Sequence, residues 1–184
     1  MRKGIFGKQS SSCELDLRRE FDEIVYGING CRPHNQLVLL RKPRLNSSNK
    51  LIKCACVSEL SDEADHESQC PYCLGEKYIW DEEFERCYST VVGASGGKAN
   101  MLERIQAGEL RTDYKVFYFR YDKKISYRDK IIELGLDIEG NVEVPYRRET
   151  IYRPETIQEY RADYGRIEYI AVYCREEPSI RKNK

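Results

Sequence analysis

The chain has 184 residues, enough for one domain with a real core, or for a domain plus a small module. Its 31 Lys and Arg match its 31 Asp and Glu, and the zero formal charge argues against a dedicated duplex-binding surface. A charged fraction of 34% and a mean hydropathy of -0.70 describe a polar surface, and no apolar run approaches the ~20 residues of a membrane span.

The opening "MRKGIFGKQSSS" lacks the apolar core of a secretory signal, so the expectation is a soluble chain that matures in a reducing cytoplasm. There, clustered cysteines point to metal more than to disulfides. In "SSCELDLRREFDEIVYGING", Ser11 and Glu14 have capping-box spacing, and Leu17, Phe21, Ile24 and Val25 share one helical face. Gly27 and Gly30 stop that helix. "QLVLLRK" reads as a strand ended by Pro43, "RLNSSNK" as a polar turn, and "KLIKCACV" as a second strand completing a hairpin. "KYIWDEEFERCYSTVV" reads as a strand despite its acidic middle. "GASGGKAN", with Gly93, Gly96 and Gly97, is a loop suited to contact with a neighbouring subunit, and "ERIQAGEL" suits a helical turn. "YKVFYFRYD" and "DKIIELGLD" are strands, "EGN" is a turn, and "VEVPYRRETIYRP" is extended. In "PETIQEYRADYG", Pro154 and Gly165 bracket a short C-terminal helix. "RIEYIAVYCRE" is the last strand and 177–184 a loose tail.

The predicted fold is therefore mainly β. It is a small β-barrel or rolled antiparallel sheet of about seven strands, with an N-terminal helix and a short C-terminal helix. Residues 1–184 form one domain, with barrel strands over 35–52 and 78–176 and a cysteine knuckle inserted at 53–78. Fourteen tyrosines against five phenylalanines point to amphipathic contact surfaces.

The knuckle carries four of the eight cysteines in two close pairs, Cys54 with Cys56 and Cys70 with Cys73. A CxxC turn aims both thiolates inward, and the glycine of "CPYCLG" accepts a left-handed backbone. In "CAC", i and i+2 side chains share one face of a strand, roughly 6–7 Å apart, and converge at a strand end on the ~3.8 Å sulfur spacing of a tetrahedral site. Structural Zn²⁺ on these four is the leading reading. An iron–sulfur cluster, to which CxC spacing is foreign, and disulfides or bare thiols are the alternatives. Four thiolates leave no open position for catalytic water. His66 in "SDEADHESQ" is a possible substitute ligand, although solvated loop histidine is the simpler reading. Cys13, Cys31, Cys87 and Cys174 read as small core residues.

No catalytic set emerges. His34 and His66 sit in no nucleophile or paired-histidine motif, and "GASGGK" lacks the spacing of a phosphate loop. Asp81, Glu82, Glu83 and Glu85 read as solvated charge before a cation site. Arg41, Lys42, Arg44, Lys50 and Lys53 form a basic turn that would face phosphates if the chain were a zinc-ribbon nucleic-acid-binding regulator.

The second half, "YKVFYFRYDKKISYRDKIIEL" followed by "EVPYRRETIYRPETIQEYRADYGRIEYIAVYCRE", resembles the head-closure and head–tail connector proteins of tailed bacteriophages. The resemblance lies in strand order: a strand leads into an Asp-x-Ile segment ("DKIIEL"), a "Y" strand follows, and a last strand comes after "DYGRIEY". The N-terminal half looks like a virion protein variant with a zinc-knuckle insertion. Its cysteines are locally similar to the CxxCxGxG repeats of DnaJ-type chaperones, but Lys77 stands at the second glycine and "CAC" departs from the repeat. The connector resemblance implies a small barrel without enzymatic activity, found in the virion neck after assembly in the host cytoplasm. It implies a homo-oligomeric ring, twelvefold by preference and sixfold as the alternative, that contacts portal and tail or neck proteins. Packaged DNA would pass through its channel, and no membrane would be involved.

Overall fold

The computed structural model describes residues 16–28, 33–58, 70, 72–73, 75–91, 114–162 and 165–177. The expectations placed on Ser11, Glu14, Gly30, Cys13, Cys31, His66, "GASGGKAN", "ERIQAGEL" and 178–184 lie outside these residues.

The helix α1 (Leu17–Tyr26) has Asp16 as its N-cap, and its end is closed by Gly27 in the left-handed region, φ 70°, whose N–H donates to the Glu23 carbonyl at 3.1 Å. Of the expected apolar face, Val25 is buried and Leu17 and Phe21 are half-buried, whereas Ile24 is exposed. The i, i+4, i+8 stripe is the one that meets the sheet.

Six strands follow: β1 (Gln36–Pro43), β2 (Trp80–Val91), β3 (Tyr114–Arg120), β4 (Lys130–Leu134), β5 (Arg148–Ala162) and β6 (Arg166–Glu176). They close a barrel in the order β1-β2-β3-β6-β5-β4, with every neighbouring pair antiparallel. Closure leaves no sheet edge unpaired. The strands β3 and β4 are three places apart in this ring, so their connection, 121–129, must cross an end of the barrel. It does so beside α1. The Arg18 guanidinium lies 3.8 Å from the Tyr121 ring centre, and Lys123 pairs with Glu85, whose other oxygen accepts the Tyr26 hydroxyl at 3.2 Å.

Period-2 alternation sorts each strand into an inner and an outer face. Val38, Leu40, Cys87, Phe117, Phe119, Ile131, Tyr152, Ile170, Val172 and Cys174 fill the interior. Burial pushes the thiols of Cys87 and Cys174 up, as expected of core cysteines. The outer wall is also apolar in two places. Leu39, Ile132 and Leu134 lie under Val142 of the β4–β5 arm (135–147), while Val116, Ala171 and Tyr173 are flanked by Tyr114, Tyr118 and Tyr160. An aromatic ladder continues from there onto the helix: Tyr160 stacks on Tyr169 at 4.6 Å, and Tyr169 on Phe21 at 5.9 Å.

Two expectations are corrected. The stretch from Pro154 to Ala162 belongs to β5 and not to a helix. Pro154 lies within β5 at a β-bulge, where the ladder needs no N–H, and Gly165 at φ 83° sits in the turn to β6. "KLIKCACV" adds no barrel strand, so the barrel has six strands and not seven. It makes only single bridges, Leu45 with Leu51 and Lys53 with Tyr78, while β1 pairs instead with β2 and β4. The polar turn is as expected, with the Asn46 side chain accepting the Ser48 and Lys50 N–H groups.

The interior sets the stability of the barrel. Phe117 is wholly buried, with its ring 5.3 Å from that of Tyr152. Phe117→Ala is expected to cost about 3–5 kcal/mol in urea unfolding. Val144→Ala, on the exposed arm, should stay within about 0.5 kcal/mol.

Candidate metal centre

The chain leaves β1 at Pro43, turns at Asn46, and returns through Ile52 to the first cysteine pair. Backbone bonds bind this excursion to the segment entering β2: Arg44 N–H to the Ile79 carbonyl, Ile79 N–H to Ile52, and Cys54 N–H to Lys77 at 2.7 Å. The two cysteine pairs are thereby set face to face. All four sulfurs lie within 4.8 Å of one another, with Cys54 to Cys70 at 3.6 Å and Cys56 to Cys73 at 3.3 Å. The short approaches run between the pairs and are far longer than the ~2.05 Å of a disulfide, so the four are free thiols. A tetrahedral metal with ~2.3 Å bonds asks for sulfurs ~3.8 Å apart, and this cluster brackets that spacing.

The turn geometry follows from sequence. Gly75 adopts φ 83°, as the residue after a CxxC turn requires, and Lys77 adopts φ 71° where a knuckle repeat would carry glycine. N–H groups of Cys73 and Tyr72 point at the Cys70 sulfur and lower its pKa to about 7. Cys56 is pushed up to about 12, first by its contact with Cys73 and then by burial. Cys54 accepts the Cys56 N–H, yet burial and the neighbouring thiols carry it above its ordinary value. Four thiolates this close cannot all ionise without a cation among them, and that demand is what a metal ion meets. Cys54, Cys70 and Cys73 are buried and Cys56 is half-buried, so the site is closed.

The knuckle is tied to the barrel by charge. Arg41, Glu82 and Lys130 lie on the outer wall, and the segment after Cys73 folds over them. The Arg41 side chain is 1% exposed, 3.3 Å from both Glu76 of the knuckle and Glu82 of β2, with its guanidinium 5.0 Å from the Trp80 ring centre. Burial lowers the Arg41 pKa against the pull of the two carboxylates, without taking the guanidinium out of its charged range. Lys130 reaches Glu76 at 3.0 Å and Glu177 at 2.8 Å, and Arg148 reaches Glu82 at 2.8 Å.

The acidic run is mostly surface charge, as its sequence suggests: Asp81, Glu82 and Glu83 are exposed and only Glu85 is buried. Asp81 pairs with Arg44, Glu82 with Arg41 and Arg148, Glu83 with Lys42 and Lys123, and Glu85 is buried against Lys123. The cause is register: Arg41 stands opposite Glu82 and Lys42 opposite Asp81. The same pairing occupies Arg41, Lys42 and Arg44 of the basic turn, leaving Lys50 from the set read against phosphates. Lys50 and Lys53 line a groove of about 890 Å³ between the knuckle and the barrel, which sequence reasoning missed because its walls come from five separate segments. His34 is exposed ahead of β1.

No protein-family model matches this chain, and no curated protein matches it significantly.

The buried guanidinium gives a direct test. Breaking a buried pair costs about 3–5 kcal/mol, but Glu76 and Glu82 keep about a quarter of their side-chain surface in water, which discounts the figure. Arg41→Met is expected to cost about 2 kcal/mol in urea unfolding, and to speed hydrogen exchange at Cys54 and Ile79 before it affects β3 and β6.

Proposed function

We propose that this chain is a structural protein of a tailed-phage neck. It assembles into a ring that joins the portal and head to the tail, and a structural zinc staples its knuckle. The observation that carries the assembly role is the β4–β5 arm. Ile138 and Val144 on it are fully solvent-exposed, at 107% and 94%, with Leu136, Tyr146 and neighbouring Phe84 also exposed. An apolar surface of this kind marks a protein–protein contact. The arm is ordered internally without its tip being covered: Gly135 N–H donates to Arg147, Glu143 N–H to Gly135, and Asp137 accepts from Glu139 and Asn141. A closed barrel that displays such an arm suits a ring subunit, and the resemblance to head-closure proteins points the same way.

Zinc is favoured over an iron–sulfur cluster because CxC is foreign to the usual cluster spacings and an all-thiolate tetrahedral set suits Zn²⁺. When bound, the metal would supply cohesion to a module too small to hold a core of its own. Cys54, Cys56, Cys70 and Cys73 would hold it.

Element analysis of purified protein is expected to find one zinc per chain, with no visible absorption from iron and sulfide. Cys73→Ser should lose that zinc and loosen 53–58 and 75–79 while β3, β5 and β6 keep their hydrogen-exchange protection. Unfolding of the whole chain would instead make the knuckle part of the barrel core.

The assembly role predicts that the protein is found in purified virions, and that the free protein or its mixture with portal sediments as a ring. A ring docked subunit for subunit on a twelvefold portal would be twelvefold, and sixfold symmetry would place it toward the tail. Replacing Ile138 and Val144 with Asp should abolish the ring in light scattering and leave the unfolding midpoint unchanged. Absence of the chain from virions would overturn this reading.

A further inference from the structure

We propose that the groove between the knuckle and the barrel binds single-stranded nucleic acid. The inference goes beyond the neck reading and does not rest on it.

Ion pairing is the rule for cations in this chain. Arg18, Arg19, Arg41, Lys42, Arg44, Lys115, Arg120 and Lys123 all have carboxylate partners, as do Lys130, Arg147, Arg148, Arg153, Arg161 and Arg166. Lys50, Lys77, Arg86, Lys124 and Arg128 break it. None of these five has an ion-pair partner among the described residues, and Lys50, Lys77 and Arg128 line the groove. They come from separate segments: the turn after β1, the turn leaving the knuckle, and the crossing between β3 and β4. The carboxylates in the groove wall, Glu76 and Glu177, are already engaged by Lys130, with Arg41 also on Glu76 and Arg153 also on Glu177. Among the described residues the groove therefore presents uncompensated positive charge.

The aromatic residues decide which anion. Tyr127 precedes Arg128 and is 60% exposed, and Tyr78 also lines the groove. Trp80 is not a free platform, because Arg41 and Lys130 already lie over its ring at 5.0 and 5.5 Å. An exposed tyrosine beside cations can stack an unpaired base while its phosphates meet Lys50, Lys77 and Arg128. A duplex keeps its bases stacked on each other and offers Tyr127 nothing. An acidic peptide would use the cations but not the ring.

Fluorescence anisotropy of the zinc-loaded protein with a labelled oligo-dT, over a series of salt concentrations, tests this against a hairpin duplex of equal length. The expected result is binding to oligo-dT in preference to the duplex. Three phosphate contacts predict a slope of log K on log salt of about -2. Lys50→Ala, Arg128→Ala and Lys77→Gly should each reduce that slope by about 0.7. Lys77→Gly is the variant safest for folding, because glycine accepts the φ of 71° at that position. Tyr127→Ala should weaken binding about tenfold at unchanged slope. Arg86→Ala and Lys124→Ala, at unpaired cations outside the groove, should change neither quantity. The proposal is overturned if oligo-dT does not bind, if the duplex binds equally well with no effect of Tyr127→Ala, or if the groove variants abolish self-association of the free protein instead. The last result would give the groove to a second copy of the chain.

Discussion

The side chain on which the rest depends is Arg41. It points outward from a barrel strand and yet is almost wholly removed from water, because the knuckle folds over it and brings Glu76 to within 3.3 Å. A guanidinium in that position costs free energy to desolvate, and its two carboxylates offset the cost without turning it into a gain. What the pair supplies is position. Glu76 lies three residues beyond Cys73, so the place of the second cysteine pair relative to the barrel is set partly by where Arg41 and Lys130 hold that carboxylate. Any metal in the four-thiol site then acts on the barrel through the same joint. A loosened knuckle withdraws Glu76 and leaves Arg41 with Glu82 alone.

Apolar surface on both faces of the barrel wall explains the long excursions between strands. The interior is filled by ten buried residues, two of them cysteines. The outer apolar patches need their own covers. Val142 brings the β4–β5 arm down over Leu39, Ile132 and Leu134, and Tyr114, Tyr118 and Tyr160 close around Val116 and Ala171. The arm does this with one side and leaves Ile138 and Val144 facing water with the other. Its conformation is held by its own turn, so the exposed side is presented and not collapsed.

Much of this was legible in the sequence, and the failures have physical causes. Strands β1, β3 and β6 alternate or run apolar between clear turn residues, and the four cysteines carry their geometry in their spacing. The strand β5 was misread because Pro154 and Gly165 are ambiguous punctuation. Proline at a helix start and proline at a bulge look alike when the partner strand is unknown, and a glycine with positive φ closes a hairpin as well as it ends a helix. Closure through β1 and β4 was invisible for the same reason, since it joins segments about ninety residues apart. Ile24 shares the helical face by spacing, yet it is exposed while Val25, one residue on, is buried.

Charge shows the limit most clearly. A balance of 31 against 31 says that the molecule carries no net field, and a reader of the sequence infers an evenly solvated surface. Strand register decides which charges of that surface pair with each other. Pairing β1 with β2 antiparallel lays the basic end of one on the acidic start of the other, so Arg41, Lys42 and Arg44 face Asp81, Glu82 and Glu83 and are spent on the fold. Lys50, Lys77 and Arg128 fall outside that ladder and outside the other ion pairs of the described residues. Lys50 lies in the turn beyond Pro43, Lys77 in the turn before Trp80 and Arg128 in the crossing, so none can join the β1–β2 pairing. Their positive charge collects in one groove because topology brings those three turns together. Net charge fixes the sum, and the register of two strands determines where the remainder appears.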